Sequence, residues 1–109
     1  MSAVIVVSRF RVLAQDGDVF RVQAEAAHEA LAQRPGYLHG SVGRNLDDAT
    51  LWSIVTWWEN VGSYRRALSA YDVKLKAVPL LSRAIDEPSA FELVRPGTDL
   101  NVDQARSLD

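Results

Sequence analysis

The sequence predicts an α+β domain of the ferredoxin-like class, with the element order β-α-β-β-α-β. Three observations predict it. β-branched stretches and helical periodicities follow one another in that order, Gly and Pro residues separate them, and 109 residues are enough for one compact domain but not for two. Right-handed crossovers then place four strands in one antiparallel sheet, with both helical regions on the same face.

The first strand and the first helix are predicted from the amino-terminal third of the chain. The strand covers residues 3–13, which are rich in Val and contain no Gly or Pro. An Asp-Gly-Asp segment at 16–18 supplies turn and N-cap residues for a helix over 19–33, in which apolar residues recur at helical spacing. A Pro-Gly pair at 35–36 ends this helix.

A hairpin follows, with strands predicted over 37–46 and 49–58 and a turn at 47–48. A symmetric turn pairs Tyr37 with Trp58, His39 with Thr56, Ser41 with Ile54, and Gly43 with Trp52. This register predicts that His39 shares a face with Trp58, among aromatic and hydroxyl groups.

A second helical region begins after Asn60, a predicted N-cap, and its apolar residues recur at offsets of three and four. Pro79 is expected to divide this region into two pieces. A fourth strand is predicted over 89–95. We expect one domain over residues 1–95, followed by a polar tail, 96–109, that is either disordered or an arm on a partner subunit.

The charge distribution argues against a nucleic-acid partner. The chain carries 12 basic and 14 acidic side chains, and the acidic excess lies in the tail. A neutral body lacks the basic field that attracts a phosphate backbone. There is no cysteine, no apolar run long enough to span a membrane and no signal-peptide pattern. We therefore expect a cytoplasmic protein with no membrane partner.

The first and third predicted strands are apolar on both faces, not on one. Two helical regions on one side of a sheet leave its other face open. Monomers rarely expose a large apolar patch of this kind. We therefore expect a homodimer that packs sheet against sheet. The alternative is that the tail or the segment 72–86 covers the second face.

Three short motifs resemble those of the antibiotic biosynthesis monooxygenase family. They are Ser8-Arg9-Phe10-Arg11-Val12, Arg34-Pro35-Gly36-Tyr37 and Val55-Thr56-Trp57-Trp58-Glu59-Asn60. The family has an Asn-Arg-Phe-type, a Pro-Gly and a Trp-Glu-Ser-type motif at these places. The resemblance covers residues 3–95 and implies a dimeric α/β barrel. Family members include cofactor-free oxygenases of aromatic polyketides, quinol oxygenases, haem-degrading enzymes and many proteins with no known reaction.

The haem-degrading branch of the family carries an Asn on the first strand and a Trp and a His in the second helical region. The corresponding positions here hold Ser8, Ala67 and Ala77. The two histidines, His28 and His39, lie elsewhere, so this helical region supplies no axial ligand for haem iron. We expect no haem and no other cofactor.

The resemblance implies a cofactor-free monooxygenase that oxidises a phenol, quinol or anthrone-type aromatic in a cleft between helix and sheet. His39 is the candidate base, because imidazole titrates near neutral pH, and Tyr64 and Tyr71 are the other candidate catalytic residues. The candidate binding residues are Ser8, Phe10, Trp58 and Arg65. Ser8 stands where relatives have the Asn.

The alternative is a non-catalytic or stress-related homodimeric barrel that binds a small hydrophobic ligand. In that interpretation Trp57 and Trp58 are core or interface residues, Tyr64 and Tyr71 form a packing stripe, His28 is a helix-surface or boundary residue, and His39 is an interface residue. An open, ligand-sized cleft with His39 or a tyrosine directed into it favours the oxygenase. A cleft filled by side chains favours the alternative.

Overall fold

The computed structural model describes residues 2–100. Its strands are β1 (Val4–Arg11), β2 (Tyr37–Arg44), β3 (Leu51–Trp58) and β4 (Ala90–Glu92), and its helices are α1 (Gly17–Ala32), α2 (Val61–Leu68), α3 (Tyr71–Lys76) and α4 (Val78–Leu81). The strands form one antiparallel sheet in the order β2-β3-β1-β4. This arrangement confirms the predicted ferredoxin-like α+β class.

The core lies between one face of this sheet and the helices. Alternate residues of β1 and β3 point into it, as the period of two in a strand requires. These are Val4, Val6, Phe10, Trp52, Ile54 and Trp58, and α1 packs Phe20, Ala24, Ala27 and Leu31 against them. None of the helices within residues 2–100 is both long and apolar enough to cross a membrane.

The opposite face of the sheet, which we call the open face, also carries apolar side chains. Ile5, Val7, Leu51, Val55 and Trp57 are half-buried there, and Phe91 of β4 is exposed. Phe91 pairs with Ile5 across the β1–β4 ladder. β1 and β3 are therefore apolar on both sides, as their sequences predict.

The second helical region is divided differently from the prediction. It forms three short helices, with breaks at residues 69–70 and at Ala77. Pro79 does not interrupt it, because Pro79 lies in the first turn of α4, where a missing N–H and a fixed φ are tolerated. The predicted N-cap is confirmed, since Asn60 Oδ1 accepts a hydrogen bond from the Ser63 N–H at 2.9 Å.

A β-bulge in β2 changes the hairpin register. The observed pairs are Tyr37–Trp58, His39–Trp57, Ser41–Val55 and Gly43–Ser53, so the predicted register is right for the first and wrong for the others. The cause is Leu38, an extra residue that has no counterpart in β3. Because side chains alternate along a strand, this insertion moves His39 to the open face, away from Trp58.

The ends of the sheet also differ from the prediction. β4 is shorter than the predicted 89–95, although the backbone hydrogen bonds from Val7 N–H to Ser89 O and from Leu93 N–H to Ala3 O extend its pairing on both sides. The β2–β3 connection is longer than a two-residue turn and spans 45–50. Most of the predicted tail, residues 101–109, lies outside the described residues, so its role stays a prediction.

Candidate functional site

A cavity of about 320 Å³ opens between β1, α2 and the segment 81–89, which leads from the end of α4 to β4. We call it the helix–sheet cavity and the segment 81–89 its wall segment. Its lining includes Ser8, Arg9, Tyr64, Leu81, Ile85 and Asp86. Its size falls at the lower end of ligand pockets, which range over roughly 300–1,000 Å³.

Ser8 lies in the middle of β1 on the face that meets the helices. Only 6% of the residue is exposed, and its neighbours on that face, Val6 and Phe10, are apolar core residues. Within residues 2–100 the Ser8 hydroxyl has no hydrogen-bond partner. Buried polar groups are normally paired, so an unpaired hydroxyl that lines a cavity is available to a ligand.

Tyr64 brings a second hydroxyl to the same cavity. It lies in the first turn of α2, whose start is fixed by the Asn60 cap. Its ring packs against Trp58 with centroids 5.6 Å apart. Burial raises the pKa of the Tyr64 phenol, so at neutral pH the hydroxyl is a hydrogen-bond donor and not a phenolate. Within the described part of the chain this hydroxyl also has no partner.

Trp58 and Phe10 stand behind the cavity and do not line it. Trp58 is 0% exposed, and its indole N–H donates to Thr56 Oγ1 at 2.8 Å. Phe10 packs against Phe20 with ring centroids 5.1 Å apart. Both predicted binding residues are therefore core residues outside the cavity lining, and Trp58 reaches the site through its ring contact with Tyr64.

The wall segment is tied to β1 by charge and by backbone contacts. Arg9 Nε and Nη2 donate to the two carboxylate oxygens of Glu87 at 2.7 and 2.8 Å. The hydrogen bond from Arg9 lowers the pKa of the Glu87 carboxyl. The Ile85 N–H also donates to the Arg9 carbonyl at 2.8 Å. These contacts hold the wall segment over Ser8.

His39 lies on the open face and outside the cavity. Its ring stacks on Trp57 with centroids 4.9 Å apart and an angle of 18° between the planes. Tyr64 lies on the helix side of the sheet, so the sheet separates the candidate base from the candidate catalytic tyrosine. The bulge at Leu38 is the physical reason.

Tyr71 and Arg65 also lie away from the helix–sheet cavity. Tyr71 begins α3 and is 77% exposed. Arg65 is exposed on α2 and borders a different cavity, of about 410 Å³, together with Phe91 and Asp99. Of the predicted site residues, the structure therefore brings Ser8 and Tyr64 together at one cavity.

The positions corresponding to the haem-degrading branch hold small core side chains. Ala67 and Ala77 are both buried, and neither histidine lines the helix–sheet cavity. Among residues 2–100 no group of three or more His, Asp or Glu side chains is placed to hold a metal ion.

Sequence reasoning missed the wall segment and one histidine contact. Asp86 and Ile85 line the cavity only because the chain returns across β1 before β4, and no local pattern encodes that path. His28 is a half-buried boundary residue, as predicted. Its Nε2 lies 2.6 Å from the Tyr37 hydroxyl, a contact that spans α1 and β2 and has no signature in sequence spacing.

Solved structures share this fold. One is a variant of SnoaB, a cofactor-independent oxygenase from Streptomyces nogalater, with a TM-score of 0.74 and 21% sequence identity. The match covers 87% of this chain and 96% of the SnoaB chain. A conserved protein from Methanosarcina mazei is similar with a TM-score of 0.70 and 20% identity, over 84% and 93%. At these identities the likeness concerns the fold alone.

The sequence itself also matches a family. The family model of antibiotic biosynthesis monooxygenases matches residues 3–74, which include Ser8, Tyr64 and most of the sheet. No curated protein matches the chain. The family match confirms the resemblance carried by the three motifs. The chain belongs to the antibiotic biosynthesis monooxygenase family.

Proposed function

We propose that this protein is a cofactor-independent monooxygenase that acts on a phenol, quinol or anthrone-type aromatic in the helix–sheet cavity. The observation that supports this most directly is the convergence of two unpaired hydroxyls, Ser8 and Tyr64, on one ligand-sized cavity. The cavity is open, which is the condition that favours the oxygenase over the alternative. Family membership and the fold shared with SnoaB add support.

This reaction needs no cofactor, because the deprotonated substrate is electron-rich enough to react with O₂ directly. In an anthrone, the ring CH₂ loses a proton, O₂ adds to that carbon and the O–O bond then breaks. One oxygen stays as a ketone and the other leaves as water. The protein binds the anion, orients it and keeps bulk water away.

Each residue of the cavity has a role in this proposal. The Tyr64 and Ser8 hydroxyls donate hydrogen bonds to the oxygen that becomes negative when the substrate is deprotonated. The apolar side chains Leu81 and Ile85 contact the aromatic rings. Asp86 lines the cavity and makes no ion pair within residues 2–100, so it is the proton acceptor that we propose in place of His39.

We propose further that the functional unit is a homodimer formed through the open face. Its apolar side chains, among them Val55 and Trp57, would otherwise remain partly exposed to water. In that assembly His39, stacked on Trp57, becomes an interface residue. Ser8 and Tyr64 approach the helix–sheet cavity from the other side of the sheet, although its lining also includes Val7 of the open face.

The second candidate function is ligand binding without catalysis. Ser8 favours it, because a serine supplies one donor where the family's Asn supplies an amide with two. A site of this kind still binds a small hydrophobic ligand through the same cavity. The two functions differ in whether the ligand consumes O₂.

Oxygen uptake with a panel of anthrones and quinols tests the proposal. We expect uptake by the wild-type protein and a loss of roughly 100-fold in kcat for Tyr64→Phe, because one hydrogen-bond donor to the developing anion is removed. Asp86→Asn and Ser8→Ala should also lower kcat. Tyr71→Phe and His39→Gln are the matched controls and should retain activity.

The outcomes separate the two functions. Saturable binding of an anthrone without O₂ uptake supports the non-catalytic barrel. Equal activity of Tyr64→Phe and Tyr71→Phe contradicts the assignment of the site to the helix–sheet cavity.

A further inference from the structure

Four aromatic rings form a continuous row that leads away from the helix–sheet cavity. Tyr64 at the cavity contacts Trp58 with centroids 5.6 Å apart, and Trp58 meets Tyr37 edge-on at 5.5 Å. Tyr37 in turn contacts His28 at 5.8 Å. All three distances lie within the range of direct ring contact. We call these four residues the ring row.

The outer end of the ring row is a hydrogen-bonded pair. The Tyr37 hydroxyl lies 2.6 Å from His28 Nε2. With the imidazole proton on Nδ1, Nε2 accepts the phenolic O–H. Tyr37 differs in this from the other two tyrosines, whose hydroxyls have no partner within residues 2–100.

This pairing matters because a phenol loses an electron readily only when its proton can leave at the same time. His28 is placed to receive that proton across the 2.6 Å contact, and because burial lowers its pKa the imidazole is neutral and has an unprotonated nitrogen at neutral pH. Glu25 and Glu29 of α1 line the same shallow cavity as His28, and Glu25 is paired with Arg21 at 3.5 Å. Tyr64 and Trp58 have no such proton acceptor.

We propose that Tyr37 and His28 form a one-electron oxidation site that the ring row connects to the helix–sheet cavity. An oxidant in the cavity takes one electron from Tyr37 by way of Tyr64 and Trp58. The phenolic proton moves from Tyr37 Oη to His28 Nε2. The products are a neutral tyrosyl radical, an imidazolium and an oxidant reduced by one electron.

The inference rests on the proposed function in one respect only, the identity of the natural oxidant. When O₂ reacts with an aromatic anion, radicals of the peroxyl or phenoxyl class can form in the cavity, and the ring row would remove them from the site. A thiol or ascorbate at the surface then supplies one electron to the Tyr37 radical, the His28 proton returns to the phenolate oxygen, and the donor is oxidised.

A photo-oxidant placed at the cavity tests the route without any substrate. The chain has no cysteine, so Ser82→Cys, at the exposed rim of the cavity, takes a single thiol-reactive ruthenium polypyridyl label. Flash excitation with a soluble electron acceptor generates Ru(III). Transient absorption then follows the tyrosyl radical, and electron paramagnetic resonance of frozen samples identifies it.

We expect a long-lived tyrosyl radical that is lost in Tyr37→Phe and in His28→Gln. It should persist in the matched controls Tyr71→Phe and His39→Gln. Tyr64→Phe and Trp58→Phe should retain the radical but form it more slowly. Tyr64→Phe is included beside Trp58→Phe because Trp58 is fully buried, so that its replacement also disturbs the core. The same label on Leu46→Cys, at the far hairpin tip, should give less radical.

Formation of the radical in Tyr37→Phe, or an unchanged yield in His28→Gln, overturns the inference. So does an equal yield from the label at Leu46. None of these outcomes depends on oxygen uptake, so a protein that fails to oxidise anthrones can still show the radical, and an active oxygenase can lack it.

Discussion

Tyr64 is set apart from the other two tyrosines by its surroundings. Tyr37 is hydrogen-bonded to His28, and Tyr71 is largely exposed, whereas Tyr64 is half-buried beside an open cavity. The sequence shows Tyr64 and Tyr71 at equivalent positions of one helical stripe. The break between α2 and α3 is what separates them, since a continuous helix would place both on the same face.

Gly36 is a residue whose identity the backbone requires. Its φ is +90°, and a Cβ at this position would overlap the side chain of Ser63. We predict that Gly36→Ala lowers the free energy of unfolding by about 2–4 kcal/mol, from strain and this overlap together. Urea unfolding measures it. Gly97→Ala is the control, because Gly97 has φ +82° with open space around it. Equal losses in both variants would show that Ser63 moves aside easily.

His28 gives the stability a pH dependence whose sign follows from its environment. Burial lowers the pKa of His28 below 6.5, so between the two values the unfolded chain binds more protons than the folded one. The free energy of unfolding should therefore be fully retained above pH 6.5 and should fall as the pH drops through 6.5 towards the folded-state pKa.

Urea titrations at pH 7.5 and at successively lower values measure this loss. In His28→Gln the dependence over that range should shrink. His39→Gln should behave like the wild type. If the pH dependence shrinks in His39→Gln and not in His28→Gln, the effect belongs to His39 and the prediction is wrong.

At the scale of elements, the sequence predicts which helices and strands exist and in what order better than it predicts the pairing register of the strands. The strands, the first helix and the Asn60 cap follow from local patterns that the structure confirms. The β-bulge does not, because no local pattern distinguishes Leu38 from the other residues of the strand, although it is left unpaired beside the Tyr37–Trp58 ring contact. One extra residue was enough to move the candidate base to the other side of the sheet.

The wall segment is an element without regular structure, and its attachment can be measured. Glu87→Gln weakens the two-point contact with Arg9, so we predict faster hydrogen exchange at the Ile85 amide. Because the pKa of Glu87 is lowered, the contribution of this contact is present above pH 4.5 and is lost as the pH falls through the folded-state pKa.

Asp48→Asn is the control, since it weakens the Arg11–Asp48 ion pair, which joins β1 to the β2–β3 connection and does not involve the wall segment. The Ile85 amide should exchange there as in the wild type. Unchanged exchange in Glu87→Gln would mean that backbone contacts alone hold the wall segment.

At the scale of the whole molecule, the apolar open face predicts assembly. We expect light scattering to give a dimer for the wild-type chain at micromolar concentration. Val55→Lys places a charge in the middle of this face and should give a monomer, because burying an unpaired ammonium is strongly unfavourable. Leu46→Lys, at the fully exposed hairpin tip, should remain a dimer. A wild-type monomer would contradict the proposal.

The whole molecule also shows why the site was only partly predictable. Ser8 falls within a local sequence motif and Tyr64 within the periodic pattern of the second helical region, and both reach the cavity. Asp86 and Ile85 reach it through the path of a connection, which depends on tertiary packing and on ion pairing with Arg9. Sequence periodicity reports which face a residue occupies on its own element, and it does not report where a loop crosses.

The wall segment and the rest of the cavity lining fall in different parts of the chain. The family match ends at residue 74, so strands β1 to β3, Ser8 and Tyr64 fall within the matched region, while residues 81–89 and β4 lie beyond it. One side of the cavity thus lies within the matched region, and the other lies beyond it. If the proposed function holds, substitutions in these nine residues would reshape one wall of the cavity while the Ser8 and Tyr64 hydroxyls stay in place.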